Sequence, residues 1–196
     1  MNTRRAEVHR VTGETDIAVT LTLDGAGTVE VSTGIGFLDH MLELFAHHGG
    51  FDLMVAAKGD LEVDGHHTVE DVGLALGRAL KDALGDKRGI RRYGSFLLPM
   101  DEALAMVVLD LSGRPYFVHD LQLAGVRIGD FDGALTAHFF RSLSTEAGMT
   151  LHVRLLAGSD PHHIVEAVFK GVARALAQAC ERHGRGDAVP STKGTL

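Results

Sequence analysis

The chain has no tryptophan and one cysteine among 196 residues. Without tryptophan, platforms on which nucleic-acid bases could stack are poorly supplied. With Cys180 alone, no intrachain disulfide can form, and a reducing cytoplasm is the expected setting. A lone thiol of this kind reads as a buried helix residue rather than a nucleophile. Long apolar runs are missing too. The stretch 103–109 offers seven uninterrupted apolar residues, whereas a membrane helix needs about 20. No apolar run follows the arginines of "MNTRRAEVHRV", so no secretory signal is expected. Basic residues are outnumbered, 19 Lys and Arg against 26 Asp and Glu, and the net charge of −7 argues against nucleic-acid partners.

An apolar fraction of 45% suits a globular protein, and 24 glycines suggest many tight turns between short elements. Histidine is plentiful. There are twelve, six of them in three adjacent pairs: His47-His48, His66-His67 and His162-His163. "HHTVEDVGLALGRAL" from 66 and "HHIVEAVFKGVARAL" from 162 agree at eight of fifteen positions without a gap. Upstream, "DHMLELFAHHGGFDLMV" aligns with "AHFFRSLSTEAGMTLHV", pairing His40 with His138, Gly50 with Gly148 and Leu53 with Leu151. An internal duplication of about ninety residues explains both matches.

Each half reads as strand, strand, helix, strand, helix. Alternation in "DIAVTLTLD" and "TVEVS" predicts a hairpin across a glycine turn. "FLDHMLELFAHH" has a helical period, "FDLMVAAKGD" reads as a strand, and residues 67 to about 84 as a second helix. The expected fold is α+β: two copies of a sheet with two helices on one side, joined so that the helices lie between the sheets. Residues 1–196 are read as one domain of two pseudo-symmetric halves, about 1–93 and 94–184, followed by a C-terminal arm.

Adjacent histidines leave a helix about 100° apart, so they cannot easily grip one ion together. Glu70 returns to lie between His66 and His67 and can share an ion with only one of them. The doubled motif therefore predicts two metal sites, each drawing ligands from both halves or from two subunits. Eight residues stand in duplicated correspondence: His40, His66, His67, Glu70, His138, His162, His163 and Glu166. They suffice for two ions with positions left for substrate or water. His9, His119, His152 and His183 have no such pattern and read as surface or packing residues. Arg91, Arg92, Arg114 and the tail residues Ser191, Thr192 and Lys193 sit beside turns and glycines, where a phosphate can be reached.

The blocks "GIGFLDHMLELFAHHGGFDL", "GHHTVEDVGLALGRAL", "RYGSFLLPMDEALA", "DLSGRPYF", "HFFRSLSTEAGMTLH" and "PSTKG" together resemble the imidazoleglycerol-phosphate dehydratase family over nearly the whole chain. The resemblance implies the ribosomal protein S5 domain 2-like fold and a manganese enzyme of histidine biosynthesis, with two Mn2+ ions per active site. It implies dehydration of D-erythro-imidazole-glycerol phosphate to imidazole-acetol phosphate. The eight histidines and glutamates become the metal ligands. Substrate contacts fall on Glu14, His40, His48, His66, Glu70, Arg92, Arg114, His162, Lys170, Ser191, Thr192 and Lys193, with Glu14 as the catalytic base. The family assembles as 24-subunit shells with active sites at subunit contacts. An imidazole ring carries nitrogens on opposite sides and can bridge two ions, which gives the doubled motif a chemical reason. Two departures from the family pattern, Gly65 before the first pair and "SDPHH" around the second, predict altered support of His66 and His162. The competing readings are a dinuclear metallohydrolase, which would normally use a bridging carboxylate and a water nucleophile, and a metal-binding shell protein, which would not need the arginines and "STK".

Overall fold

A computed structural model describes residues 3–182, 188–194 and 196. His183 and the start of the arm lie outside that set. Arg5–Val11 (β1) and Thr15–Thr22 (β2) form an antiparallel hairpin. Val29–Ser32 (β3), Gly36–Gly49 (α1), Asp52–Gly59 (β4) and His66–Leu84 (α2) complete the first half. The second half runs Tyr93–Met100 (β5), Ala103–Asp110 (β6) and Tyr116–His119 (β7). A small hairpin of Arg127–Ile128 (β8) and Phe131–Asp132 (β9) is inserted there, before Ala134–Ala147 (α3), Thr150–Ala157 (β10) and Pro161–Cys180 (α4). The sheets have the same order, β1-β2-β4-β3 and β5-β6-β10-β7, and in each the last strand is parallel to its neighbour. The fold is the expected α+β duplication, and it extends to every strand of the two sheets.

One expected pairing is not formed. β2 does not make a hairpin with β3; it takes β1 as its hairpin partner, and β3 pairs with the far side of β4. The cause is the contrast between two connections. The turn at residues 12–14 is tight: Thr12 N donates to Thr15 O at 2.9 Å, and Thr12 Oγ1 accepts from the amides of Glu14 and Thr15. The segment leading to β3 is instead held open by Asp52 Oδ1, which accepts from Ala26 N and Thr28 N and so carries β3 across to β4. The alternating exposed and half-buried residues of β1 suit an edge strand, covered on one face only.

The helices end alike in the two halves. Gly50 at φ 68° and Gly148 at φ 63° sit in the left-handed region and donate to the last carbonyls of α1 and α3. α2 packs on β1 and β2, and α4 on β5 and β6, while α1 crosses to α4 and α2 to α3. The four helices are thereby packed between the sheets. Phe139, Phe140 and Phe169 stack within 5.2 Å of one another in the seam of α3 and α4. No helix among the described residues is long and apolar enough to cross a membrane.

The α2–α3 approach depends on Gly73 and Gly77. A Cβ at Gly77 would meet the Leu143 carbonyl oxygen at 2.6 Å and Glu146 Cβ at 2.9 Å. Backbone cannot yield as a flexible side chain can, so Gly77→Ala should cost about 1–3 kcal/mol despite the better helix propensity of alanine. Thermal unfolding would show this as a lower Tm; a Tm at or above that of the parent would contradict the close approach.

Candidate metal centre

The crossing of α1 on α4 and of α2 on α3 assembles two groups of ligands from residues far apart in sequence. His40 from α1 meets His162 and Glu166 from α4. His138 from α3 meets His66 and Glu70 from α2. In each group, one ligand atom per residue lies within 4.8 Å of the others, close enough for a single ion. Both groups have the composition His, His, Glu, and both draw on the two halves of the chain. On each helix the first histidine of the pair faces its own glutamate one turn on: His66 Nε2 is 3.1 Å from Glu70 Oε2, and His162 Nε2 is 3.2 Å from Glu166 Oε2. His40 Nε2 stands 3.7 Å from the same Glu166 oxygen. Between the groups opens a cleft of about 880 Å³ lined by His40, His66, His138 and His162, with Phe37 and Phe131 packed at 5.1 Å in its wall.

The second histidine of each pair belongs to neither group. Its ring lies edge-on to that of its neighbour, with centroids 6.1–6.2 Å apart. His67 Nδ1 is 2.9 Å from Asp60 Oδ2, and His163 Nδ1 is 2.7 Å from Glu102 Oε2. Each carboxylate raises the pKa of its histidine. A carboxylate at Nδ1 fixes the ring and leaves Nε2 as the outward ligand atom, a common arrangement around metals. The altered neighbours of the histidine pairs also have an account. Asp64 Oδ1 accepts from His66 N at 2.7 Å, and Asp160, as N-cap before Pro161, accepts from His162 N at 2.8 Å. Both helix starts keep an aspartate two residues before the histidine pair.

The electrostatics differ between the groups. Glu166 is almost buried, and burial alone would raise its pKa. Lys170 and then His162 outweigh that effect and hold it below the ordinary range, so it stays an anion. His48, half-buried near Lys170, is lowered first by burial and then by the lysine charge. The residues expected to bind phosphate gather elsewhere. Arg92 donates to both oxygens of Asp110 at 2.7 and 3.1 Å and to the Pro190 carbonyl, which brings the Ser191–Thr192–Lys193 tail beside it. Arg114, largely exposed, stands 3.8 Å from Asp110. Arg92 N also bonds Ala179 O near the end of α4. At 1.5 Å per residue, that is about 20 Å along the helix from Glu166. One chain therefore brings six of the eight expected ligands together, and keeps the arginines and tail at a distance from them. Arg91 pairs with Glu181, away from both groups.

The family model for imidazoleglycerol-phosphate dehydratase matches residues 33–176, most of the chain and all of these ligands. The chain belongs to that family. It is 57% identical over 193 residues to imidazoleglycerol-phosphate dehydratase of Acetivibrio thermocellus, covering 98% of this chain and 99% of that protein. It is 54% identical to the enzyme of Desulforamulus reducens over the full length of both. The crystal structure of imidazoleglycerol-phosphate dehydratase from Staphylococcus aureus superposes with a TM-score of 0.82 at 38% identity, over 91% of this chain and 99% of that one. That of the Pyrococcus furiosus enzyme, in complex with (S)-C348, does so at 0.83 and 38%, over 96% and 100%. Family membership makes this chain a hydro-lyase.

Asp60 and Glu102 are not among the residues expected from the sequence. The two stand at unmatched places in the repeat, one after β4 and the other between β5 and β6, so the duplication could not reveal them. Glu102 is held down to about 2 by the Asp160 amide first, then by His163 and the Ser159 amide. Its stabilising effect is present above the ordinary glutamate value of 4.5 and is lost as pH falls toward 2. For His163, raised above 6.5, the effect is present below that value and is lost as pH rises through the higher folded one. Metal-free Glu102→Gln should therefore show its largest loss of Tm near pH 6 and a smaller one near pH 9. An equal loss at both would mean that the ion pair contributes nothing.

Proposed function

We propose that this hydro-lyase removes water from D-erythro-imidazole-glycerol phosphate to give imidazole-acetol phosphate, with two Mn2+ ions at each active site. The observation that carries the reading is the pair of matched His, His, Glu groups, each assembled from both halves. The donor set fits divalent manganese, and imidazole also suits zinc, iron and nickel, so the choice of metal rests on the family. Neither Glu70 nor Glu166 lies in both groups, which favours two separated ions over a carboxylate-bridged hydrolase centre. When bound, the ions would supply Lewis acidity to the two nitrogens of the substrate ring, comparable to the pull that takes bound water from a pKa of 15.7 to about 7.

The chain's own residues then divide the work. His40, His162 and Glu166 hold one ion, and His66, Glu70 and His138 the other. His67 and His163, fixed through Nδ1 with Nε2 turned away, complete the coordination in neighbouring subunits. A small phosphorylated substrate cannot span about 20 Å, so Arg92, Arg114, Ser191, Thr192 and Lys193 serve a metal centre of another subunit. The homo-oligomer is the family's 24-subunit shell. Asp110 orders Arg92 in advance, which reduces the entropy lost when its guanidinium receives a phosphate. Lys170, paired with Glu166, and His48 near it serve as substrate contacts beside the His40 group. The Glu14 carboxylate, 3.8 Å from His67 Nε2, takes the proton from the carbon next to the departing hydroxyl.

Chelator-treated protein should scatter light as a smaller particle, and restored Mn2+ should rebuild the shell. An intact shell after complete metal loss would remove the link between ligands and assembly. In an assay for the ketone product, Glu14→Gln should keep metal content and particle size while kcat falls by about 10²–10⁴-fold. Near-normal turnover would exclude Glu14 as the base.

A further inference from the structure

The two hairpins of the duplicated fold can be superposed by register. Arg10 opposes Ile17 in β1–β2, and Leu98 opposes Ala105 in β5–β6, a constant offset of 88 residues. By the same offset Thr15 corresponds to Ala103 and Glu14 to Glu102. On the helices, with an offset of 96, Asp71 corresponds to Ala167.

The two glutamates have diverged. Glu102 is locked by two amides and His163. In the first half Asp60 has taken over the histidine, and no hydrogen bond to the Glu14 carboxylate is found among the described residues. A carboxylate without a hydrogen-bond donor on a three-residue turn needs its backbone held if it is to meet a substrate in one geometry. The structure supplies that hold. Asp71 on α2, almost buried, accepts from Thr15 Oγ1 at 2.5 Å and from Arg10 Nε at 3.0 Å. Thr15 Oγ1 touches Thr12 Oγ1 at 3.2 Å, and Thr12 Oγ1 accepts from Glu14 N at 3.1 Å. Asp60 N donates to Glu14 O at 3.2 Å from the other side.

The second half is an internal control for whether the fold needs this polar set. There the same three places are Leu98, Ala103 and Ala167, all buried and apolar. Burying a carboxylate and a hydroxyl carries a desolvation cost that alanine and leucine avoid, and replacing a paired buried ion by apolar groups is often neutral or stabilising. Packing does not account for Arg10, Thr15 and Asp71. Their common neighbour is the turn that carries Glu14. Resting on the reading of Glu14 as base, we propose that Asp71 is a positioning residue: through Thr15 and Arg10 it clamps the Glu14 turn onto the helix that carries His66, His67 and Glu70.

The test uses the assembled, metal-loaded protein. Thr15→Val, which keeps the shape and removes the hydroxyl, should lower kcat by about 10- to 100-fold with KM and metal content unchanged. Thr15→Ser should restore turnover. The triple variant Arg10→Leu/Thr15→Ala/Asp71→Ala, which copies the second half, should fold and assemble but lose kcat likewise. In both impaired variants, amide hydrogen exchange at residues 12–15 should quicken while that of α2 does not. In a Glu14→Gln background, Thr15→Val should cause no further loss. Unchanged exchange at the turn, or a full additional loss in that background, would overturn the clamp. Full turnover of Glu14→Gln itself would overturn the base assignment, and with it the role of Asp71 as positioner of that base.

Discussion

The rest of the site depends on how the four helices cross. A histidine and a glutamate one turn apart on a single helix offer an ion two ligands on one face, and a third must come from another element. The pairing of α1 with α4 and of α2 with α3 supplies it twice, His40 to the α4 pair and His138 to the α2 pair. Because the crossing exchanges partners between halves, neither half holds a complete group. The close contact behind it rests on small residues: Gly73 and Gly77 let α2 approach the α3 backbone. Their counterparts in α4 are Phe169 and Ala173, and the Phe169 ring packs against Phe139 and Phe140 of α3. The two crossings reach the same ligand geometry by different packing.

Duplication built a symmetric frame, and function then broke the symmetry where charge is involved. The ligands, the αL glycines that end α1 and α3 and the strand order remain matched. The carboxylates do not. Glu102 serves as an anchor with its pKa held down to about 2, whereas the Glu14 carboxylate accepts no hydrogen bond among the described residues and stands 3.8 Å from His67 Nε2, and Asp60 performs the anchoring. In a packed protein a carboxylate cannot both stay locked by several donors and remain a ready proton acceptor. The locking that lowers its pKa also weakens it as a base. With Glu14 as the proposed base, division of the two roles between the copies resolves that conflict.

Distance is the other constraint. The guanidinium of Arg92 and the tail lie at one end of α4 and the ligand groups at the other, and a rigid helix cannot shorten. His67 and His163 point away from the groups that their neighbours help to build, for the equally rigid reason of 100° per residue. Both facts set these groups apart from the ligand groups within the chain.

The sequence by itself determined the duplication, the helix faces and the histidines and glutamates available as metal ligands, because periodicity and matched histidines are local properties of the chain. It determined that His66 and His67 must diverge, which helix geometry alone requires. It misassigned the partner of β2, since pairing was decided by a threonine-closed turn on one side and by Asp52 opening the connection on the other. Which histidine joins which glutamate from the other half, the anchoring by Asp60 and Glu102, and the Asp71–Thr15–Arg10 contact were decided only by tertiary structure. Each of these depends on where the hairpin turns and helix ends meet in space; apart from Asp60 and His67, the contacts join residues 56 or more positions apart, which carry no local signal of such a meeting.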